Sequence, residues 1–431
     1  DVDVFVHGTT LATNALIERR GAKTALLTTG GMRDSIEMAH ENRFEQYDLA
    51  MVRPDPLVPR NRRIGIPERI SANGAVLLEL DEEILAAELA TLKSDGVQSV
   101  AVGFLHSYVD ASHEIRTRDL IEQLWPEAQV TLSSEVCPEI REYERFSTAC
   151  ANAYIQPLVS EYLQDLETRR RALGMRCPML LMQSGGGLGT LEDALRFPVR
   201  LIESGPAGGA LLSAELARSF QIEKALSFDM GGTTAKLCII NRGHPRTSRE
   251  FEVGREYRFL AGSGIPLRLP VIEMVEIGAG GSSIARLDEL GRIAVGPLSA
   301  GSEPGPACYG RGGTSPTVTD ADVALGRIIP DRFAGGDLTF TKEAALAVIE
   351  TSLVTDTGFD LEMASLGIAE IVDENMASAG RVHAIEQGCD ITDGTLIAFG
   401  GAAPLHAVRV AEKLGIEEVL IPSGAGVGSA I

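Results

Sequence analysis

The sequence predicts an α/β fold, and three observations carry that prediction. Short apolar runs alternate along the chain with stretches of helical period. Glycine is abundant, at 46 of 431 residues, and it clusters where those apolar runs end. Hydrophobic residues make up 44% of the chain, enough for a large core and too many for a disordered polymer. The length fits two or three domains of ordinary size.

Taken in order, the predicted strands are 2–6, 24–29, 97–105, 129–133, 179–183, 225–228, 237–240 and 396–399. The predicted helices are 11–20, 81–94, 111–124, 141–171, 208–220, 342–352, 364–387 and 404–414. Between them, 57–70 is rich in Arg and has no period, so it reads as an extended surface loop. Residues 243–270 read as an antiparallel β excursion, and the Gly/Pro-rich 291–317 as a long ordered loop. A soft boundary falls near residue 175, with the long helix 141–171 able to bridge the halves. The chain begins in a strand without Met, and it stops just after a Gly/Ser-rich turn, so both ends are expected to be cut from something longer.

The charge excludes several classes of function. Lys and Arg number 39 against 60 Asp and Glu, a net charge of −21. Nucleic-acid binding and a polybasic membrane surface both need clustered positive charge. No run of about 18 apolar residues is present for a spanning helix. The six cysteines are scattered without a CxxC pair, which suggests neither a disulfide framework nor a zinc ribbon. With no signal peptide, a cytoplasmic protein is expected, free of nucleic acid and membrane.

The glycine motifs carry the chemistry. In Phe228-Asp-Met-Gly-Gly-Thr-Thr-Ala-Lys-Leu-Cys-Ile-Ile240 a strand ends in Asp229, turns tightly, and a second strand begins. Gly231 and Gly232 let the backbone approach phosphate oxygens. The hydroxyls of Thr233 and Thr234 add donors, and Asp229 can hold a hydrated Mg²⁺. The plain alternative is a hairpin that only needs glycine. The motif 398–406 runs from an apolar strand through Gly400 and Gly401 into a helix with Pro404 in its first turn, suited to a base or sugar at a helix N-terminus. Glu203-Ser-Gly-Pro-Ala-Gly-Gly209 puts Gly208 and Gly209 at a helix entrance. Ile277-Gly-Ala-Gly-Gly-Ser-Ser-Ile284 contributes Gly280 and Gly281. The turn 183–188 is of the same kind. For each of these, anion binding and tight packing both remain open.

No GxxxxGK[ST] string occurs, and no glycine turn combines G-x-G-x-x-G spacing with the first strand of a βαβ unit. A nucleotide site assembled from separate turns remains, as in the actin/hexokinase/Hsp70 superfamily. The motifs together resemble one family, the hydantoinase A/5-oxoprolinase proteins, related to acetone and acetophenone carboxylase subunits. The strings are His7-Gly-Thr-Thr-Leu-Ala-Thr-Asn-Ala-Leu16, Glu18-Arg-Arg-Gly21, Arg53-Pro-Asp-Pro-Leu-Val-Pro59, Pro67-Glu-Arg69, Phe104-Leu-His-Ser-Tyr108, Ser133-Ser-Glu-Val136 and Arg141-Glu-Tyr-Glu-Arg145. They continue with Ser204-Gly-Pro-Ala-Gly-Gly209, Asp229-Met-Gly-Gly-Thr233, Gly278-Ala-Gly-Gly281, Pro304-Gly-Pro-Ala-Cys-Tyr-Gly310, Pro316-Thr-Val-Thr-Asp-Ala321 and Phe399-Gly-Gly401.

The resemblance implies actin-like ATPase (ribonuclease H-like) domains with an inserted β excursion. It implies an N-terminal-type α/β domain at 1–175, lacking its first strand and turn, and an ATPase domain at 176–431. It implies ATP- and Mg²⁺-dependent phosphorylation of a carbonyl or amide oxygen, with Asp229 catalytic and holding Mg²⁺. In hydrolytic relatives a hydantoin- or lactam-like ring of a small-molecule substrate then opens. In carboxylating relatives a ketone enolate meets activated bicarbonate. A hydantoinase B-type subunit is the expected partner, giving a hetero-oligomer; a nucleotide-binding scaffold without turnover is the reading from another class. The chain departs from the family pattern in four places. The upstream Asp-x-Gly-Gly-Thr is missing, Thr234-Ala-Lys236 replaces Ser-Thr-Asp, Ala403 stands where glycine is usual, and Gly185 stands where asparagine is usual. Lys236 could contact phosphate or sit on a wet strand face.

Other polar positions are weighed on their own residues. His7, Thr9 and Thr10 follow a strand and could face a cleft, or a threonine there could cap the next helix. Asp320 could lie near metal or substrate, or be a capping acid. His106 and His113 lack a firm third metal ligand. Arg141, Arg145 and Arg171 are expected on one helix face, meeting acids. Cys308 reads as a packed thiol.

Overall fold

The computed structural model describes residues 2–255, 262–330 and 340–430. The chain packs into two units, Asp1–Ala207 with Thr247–Val271, and Gly208–Arg246 with Ile272–Ile431. This division differs from the boundary near residue 175 read in the sequence. The physical reason lies in the first unit. Strand Met179–Met182 pairs parallel with Phe5–His7, and helix Glu142–Ala172 lies in that unit's core rather than bridging two halves.

The first unit is built on a parallel four-stranded sheet, in the order Arg63–Ile66, Thr24–Thr29, Ser99–Gly103, Gln129–Leu132. Thr24–Thr29 and Ser99–Gly103 are buried at every position, as strands covered on both faces must be. Helices Glu82–Ser94 and Ser112–Leu124 pack through Leu85, Leu89, Leu92, Leu120 and Ile121 against one face. Helix Glu142–Ala172 covers the other through Phe146, Ala149 and Ala153, which join Leu26 and Ala101 in one core. The N-terminal half of that helix is buried almost all round, whereas its C-terminal half is largely polar.

Three expectations are corrected here. The segment 57–70 is not a surface loop: Arg63–Ile66 is an edge strand, and Val58, Arg63, Ile66, Glu68 and Ile70 are buried. Its charges hid the pattern, because Arg63 is buried by bonding Val58 O (2.8 Å) and Glu37 Oε2 (2.7 Å). The stretch 291–317 is not simply a loop, since Ile293–Ser299 pairs antiparallel with Ser283–Leu287. Among the described residues Arg145 forms no ion pair, although Glu114 and Glu142 act on it through space; it donates to the carbonyls of Glu139 (2.8 Å) and Phe104 (3.0 Å) and lies over the Phe146 ring. Arg171 does pair with Glu167, and Arg141 occupies the N-cap position of its helix at φ 90° without a side-chain cap bond. The β excursion at 243–270 is present as strands His244–Pro245, Thr247–Val253 and Ile265–Ile272; its residues 256–261 lie outside the described residues.

The second unit has a sheet in the order His244–Pro245, Ala235–Asn241, Lys224–Met230, Thr395–Phe399, Glu418–Leu420. In chain order this is 3-2-1-4-5, with the first pairings antiparallel and the last two parallel, the arrangement of ribonuclease H-like, actin-like ATPase domains. Strand Lys224–Met230 alternates: Leu226, Phe228 and Met230 enter the core with helices Leu361–Glu386 and Ala403–Leu414, while Ala225, Ser227 and Asp229 occupy the other face. Helix Ala403–Leu414 buries Ala403, His406, Ala407, Val410, Ala411 and Leu414, a helical stripe, and stops at Gly415 in the left-handed region. No described helix is long and apolar enough to cross a membrane.

Candidate functional site

The second unit gathers three glycine turns and one helical glycine pair around Asp229. The first is the hairpin itself, where Met230 pairs with Ala235 and Gly231 N donates to Thr234 O at 3.0 Å. Gly232 and Thr233 are exposed at its tip. The second turn lies on it: Gly281 N donates to Gly231 O (3.1 Å) and Ser282 N to Gly232 O (2.6 Å). A Cβ on Gly280 would fall 2.6 Å from the Gly232 carbonyl, so this approach admits only glycine.

The third turn adjoins Asp229 through sheet register, because Phe399 pairs with it. Gly400 has φ 95°, and a Cβ there would collide with Asp229 Oδ1 and lie 2.6 Å from Met230 O. Ala402 N donates to Met230 O at 2.9 Å, and Gly400 N to Ala425 O at 2.8 Å. The fourth motif departs from the expectation: Gly208 and Gly209 do not stand at a helix entrance but inside helix Ser204–Ser219, so they are a packing pair rather than a turn. A Cβ on Gly209 would strike the Phe399 ring and come within 3.6 Å of Asp229 Oδ2. Further along, Ser213 Oγ donates to Ser227 Oγ at 3.0 Å, seating that helix on the Asp229 face of the strand.

Among the described residues no donor hydrogen-bonds the Asp229 carboxylate. Burial pushes its pKa up to about 6, against the pull of the Lys236 charge. Lys236 Nζ pairs with Glu276 Oε1 at 3.1 Å. The site therefore presents one carboxylate short of positive charge, ringed by backbone that lies close because it lacks Cβ atoms.

The structure brings together Asp229, Gly231, Gly232, Thr233, Thr234, Lys236, Gly209, Gly280, Gly281, Gly400 and Gly401, with Gly208 one residue before Gly209 in its helix. It does not put Asp320 with them as a free acid. That carboxylate is fully buried and accepts from Ala307 N (3.2 Å), Cys308 N (2.8 Å), Thr317 N (3.0 Å) and Thr317 Oγ1 (2.7 Å). It closes a capping box at helix Val318–Ala324. The Cys308 thiol beside it is pushed well above its ordinary pKa by burial and by that carboxylate, so it is a packed thiol.

His7, Thr9 and Thr10 belong to the first unit. His7 Nε2 lies 2.9 Å from Tyr162 Oη, and burial lowers its pKa. Thr9 Oγ1 accepts from Leu11 N, and Thr9 N donates to Ser204 Oγ at 3.1 Å. Thr10 occupies the N-cap position without a side-chain cap bond. His113 Nδ1 bonds Glu68 Oε2 at 2.8 Å, and among the described residues no group of three His, Cys, Asp or Glu is placed to hold a metal. The Cβ of Ala403 packs into the core.

Sequence reasoning missed Thr319, whose N and Oγ1 both donate to Gly281 O, at 2.7 and 2.8 Å. It also missed His406, described below. Both sit inside motifs already singled out, but their partners come from distant segments.

A model of the hydantoinase/oxoprolinase family matches residues 145–431, and one of its N-terminal region matches residues 1–125. The caprolactamase alpha subunit of Pseudomonas jessenii is 38% identical over 424 residues, covering 98% of this chain and 60% of that protein. The acetophenone carboxylase gamma subunit of Aromatoleum aromaticum is 34% identical over 420 residues, covering 94% of this chain and 56% of that protein. The crystal structure of the ATP-dependent caprolactamase from Pseudomonas jessenii superimposes with a TM-score of 0.82 at 36% identity, covering all of this chain and 62% of that one. The chain thus spans less than two thirds of the length of these relatives. Two family models that between them take in most of the chain, and a shared fold, establish that it belongs to the hydantoinase/oxoprolinase family.

Proposed function

We propose that this chain binds ATP with Mg²⁺ and supplies the activation step of a heteromeric amidohydrolase that opens a small hydantoin- or lactam-like ring. The observation that carries the reading is the convergence of three glycine turns, with a close-packed helical glycine pair, on the half-buried Asp229. Phosphoryl transfer is mostly positioning and charge neutralisation, and glycine turns offer backbone N–H groups to phosphate oxygens. The amides left at Gly232, Thr233 and Gly401 are candidates for that contact, with the hydroxyls of Thr233 and Thr234. The similarity to an ATP-dependent caprolactamase supports the substrate class.

The Asp229 carboxylate fits a hydrated Mg²⁺: it is desolvated, it has no hydrogen-bond donor among the described residues, and a hard cation prefers carboxylate and water oxygens. When bound, the ion would neutralise developing charge on the transferring phosphoryl group. The protein's own part is to present a desolvated carboxylate that is ionised above about pH 6, to seat the polyphosphate on backbone, and to leave room for a substrate oxygen. Phosphorylating that oxygen gives an imidate phosphate whose carbon water attacks more readily. We further propose a hydantoinase B-type partner, since two relatives are named as subunits.

A second reading is an ATP-dependent ketone carboxylase subunit using bicarbonate, supported by the similarity to the acetophenone carboxylase subunit. The test is phosphate release by the co-purified assembly across a panel of hydantoins, lactams and ketones. Release driven by a lactam or hydantoin, and abolished by D229N without loss of fold, supports the proposal. Release that requires a ketone and bicarbonate, with labelled carbon entering product, replaces it with the second reading. ATP binding with no substrate-driven release leaves a scaffold.

A further inference from the structure

We propose, resting on the nucleotide reading above, that His406 is a positioning residue that sets the spacing between the Gly280–Gly281 and Gly400–Gly401 turns. His406 is fully buried in helix Ala403–Leu414. Its Nδ1 lies 2.7 Å from Asp373 Oδ1 in helix Leu361–Glu386, and its Nε2 lies 3.1 Å from Asp322 Oδ2 in helix Val318–Ala324. A carboxylate oxygen only accepts, so both ring nitrogens donate and the ring is an imidazolium. Asp322 Oδ1 also takes Arg327 Nη1 at 3.2 Å, which brings the cluster of two carboxylates and two cations to neutrality.

The clamp reaches the site through both helices. Asp322 is three residues beyond Thr319, which holds the Gly281 carbonyl with two hydrogen bonds. His406 is four residues beyond Ala402, whose N–H holds the Met230 carbonyl. The imidazolium is thus the direct polar link between the helix that fixes one turn and the helix that fixes the other, with the Asp229 hairpin between them. Apolar residues could pack these helices at least as favourably as buried charges. Asp373 Oδ2 is buried with no partner among the described residues, which is a cost to the fold and argues that the group serves something other than stability. Removing the imidazole leaves Asp373 with no cation and Asp322 with Arg327 alone, an uncompensated buried charge that loosens the helices and opens the gap between the turns.

The test uses H406Q and, because that variant leaves the buried Asp373 without a cation, D322A, which cuts the link between the two helices together with the Arg327 pair. Hydrogen exchange of the intact protein without ligand is expected to rise about tenfold or more at the amides of Gly281, Ser282 and Ala402, while strand 224–230 keeps its rates. The dissociation constant for ATP with Mg²⁺, measured by calorimetry below the unfolding transition, is expected to rise about tenfold. The triple variant H406Q/D322N/D373N, with no buried carboxylate left unpaired, is expected to recover affinity to within about threefold of wild type.

Exchange that rises everywhere or nowhere overturns the clamp, as does unchanged ATP affinity in both variants. Wild-type protein that binds no ATP, combined with locally faster turns in H406Q, removes the nucleotide reading and keeps the clamp.

Discussion

Asp229 shows what a single buried acid imposes on the protein around it. Its pKa in the fold is about 6, against 3.8 for the free side chain, because burial penalises the charge. With the folded value raised, the contribution to stability is full below about pH 4 and is lost as pH rises through 6. At pH 7 the ionised form costs roughly 3 kcal/mol, taking about 1.4 kcal/mol per unit. D229N should therefore raise the thermal midpoint of the ligand-free protein at pH 7, and the gain should vanish below about pH 4. A midpoint shift independent of pH would show that the carboxylate is not desolvated as described. Gly400 carries the opposite constraint, a requirement for empty space. G400A has to place a Cβ at φ 95° against Asp229 and Met230 O, so it should cost on the order of 3 kcal/mol or more in a denaturant titration. The Asp229 and Gly400 motifs were legible as candidate phosphate turns from Asp-x-Gly-Gly-Thr and Gly-Gly alone. Nothing in either string shows that the second sits against the first, since that depends on strand pairing across some 170 residues.

Helix Val318–Ala324 is short, yet each turn of it holds something. Its capping acid Asp320 ties the 307–308 backbone, Thr319 ties the Gly281 turn, and Asp322 ties His406. D320N turns an all-acceptor group toward four donors, so it should destabilise by about 3 kcal/mol, read from the shift in denaturant midpoint. If D320N left stability unchanged while removing activity, the capping role would be wrong and a catalytic one would return. The His406 clamp adds a pH dependence. Burial alone would lower its pKa, but the hydrogen bonds and charges of Asp322 and Asp373 raise it to about 9. A raised value means stability present below about pH 6.5 and lost as pH climbs through 9. The groups facing it are Asp322 and Asp373, with Arg327 behind Asp322. An H406Q protein should lose that alkaline slope in a pH series of unfolding midpoints. In the segment 317–322 the sequence left Asp320 open between a place near metal or substrate and a capping role, and the tasks of Thr319 and Asp322 were not legible because Gly281 and His406 are far away in sequence.

Across the whole molecule, a net charge of −21 sets the response to salt. Raising ionic strength from about 10 to 150 mM shortens the screening length to about 8 Å, so like-charge repulsion weakens and the midpoint should rise by about 2–4 °C. A fall would mean that the surface ion pairs outweigh the excess of acids. The α/β class and most element positions were legible because strands such as Thr24–Thr29, apolar on both faces, and helices such as Ala403–Leu414, apolar on one stripe, announce themselves. Arg63–Ile66 was not, because a charged residue at its start is buried by partners outside the local window. The antiparallel pair 283–287 and 293–299 was hidden by glycine and proline inside the second strand.

The pairing of Phe5–His7 with Met179–Met182 has a practical consequence for anyone dividing this protein. A fragment stopped at residue 175 keeps the leading strand and discards the neighbour it zips to. It also uncovers the packed end of helix 142–172, where Leu181, Leu201 and Ile202 belong to the same cluster. Such a piece would carry a raw sheet margin and a greasy helix flank, two invitations to self-association, and would be recovered as aggregate. An expression boundary placed beyond Val271, which also keeps Val253, Leu267 and Leu269 in that cluster, leaves both features enclosed.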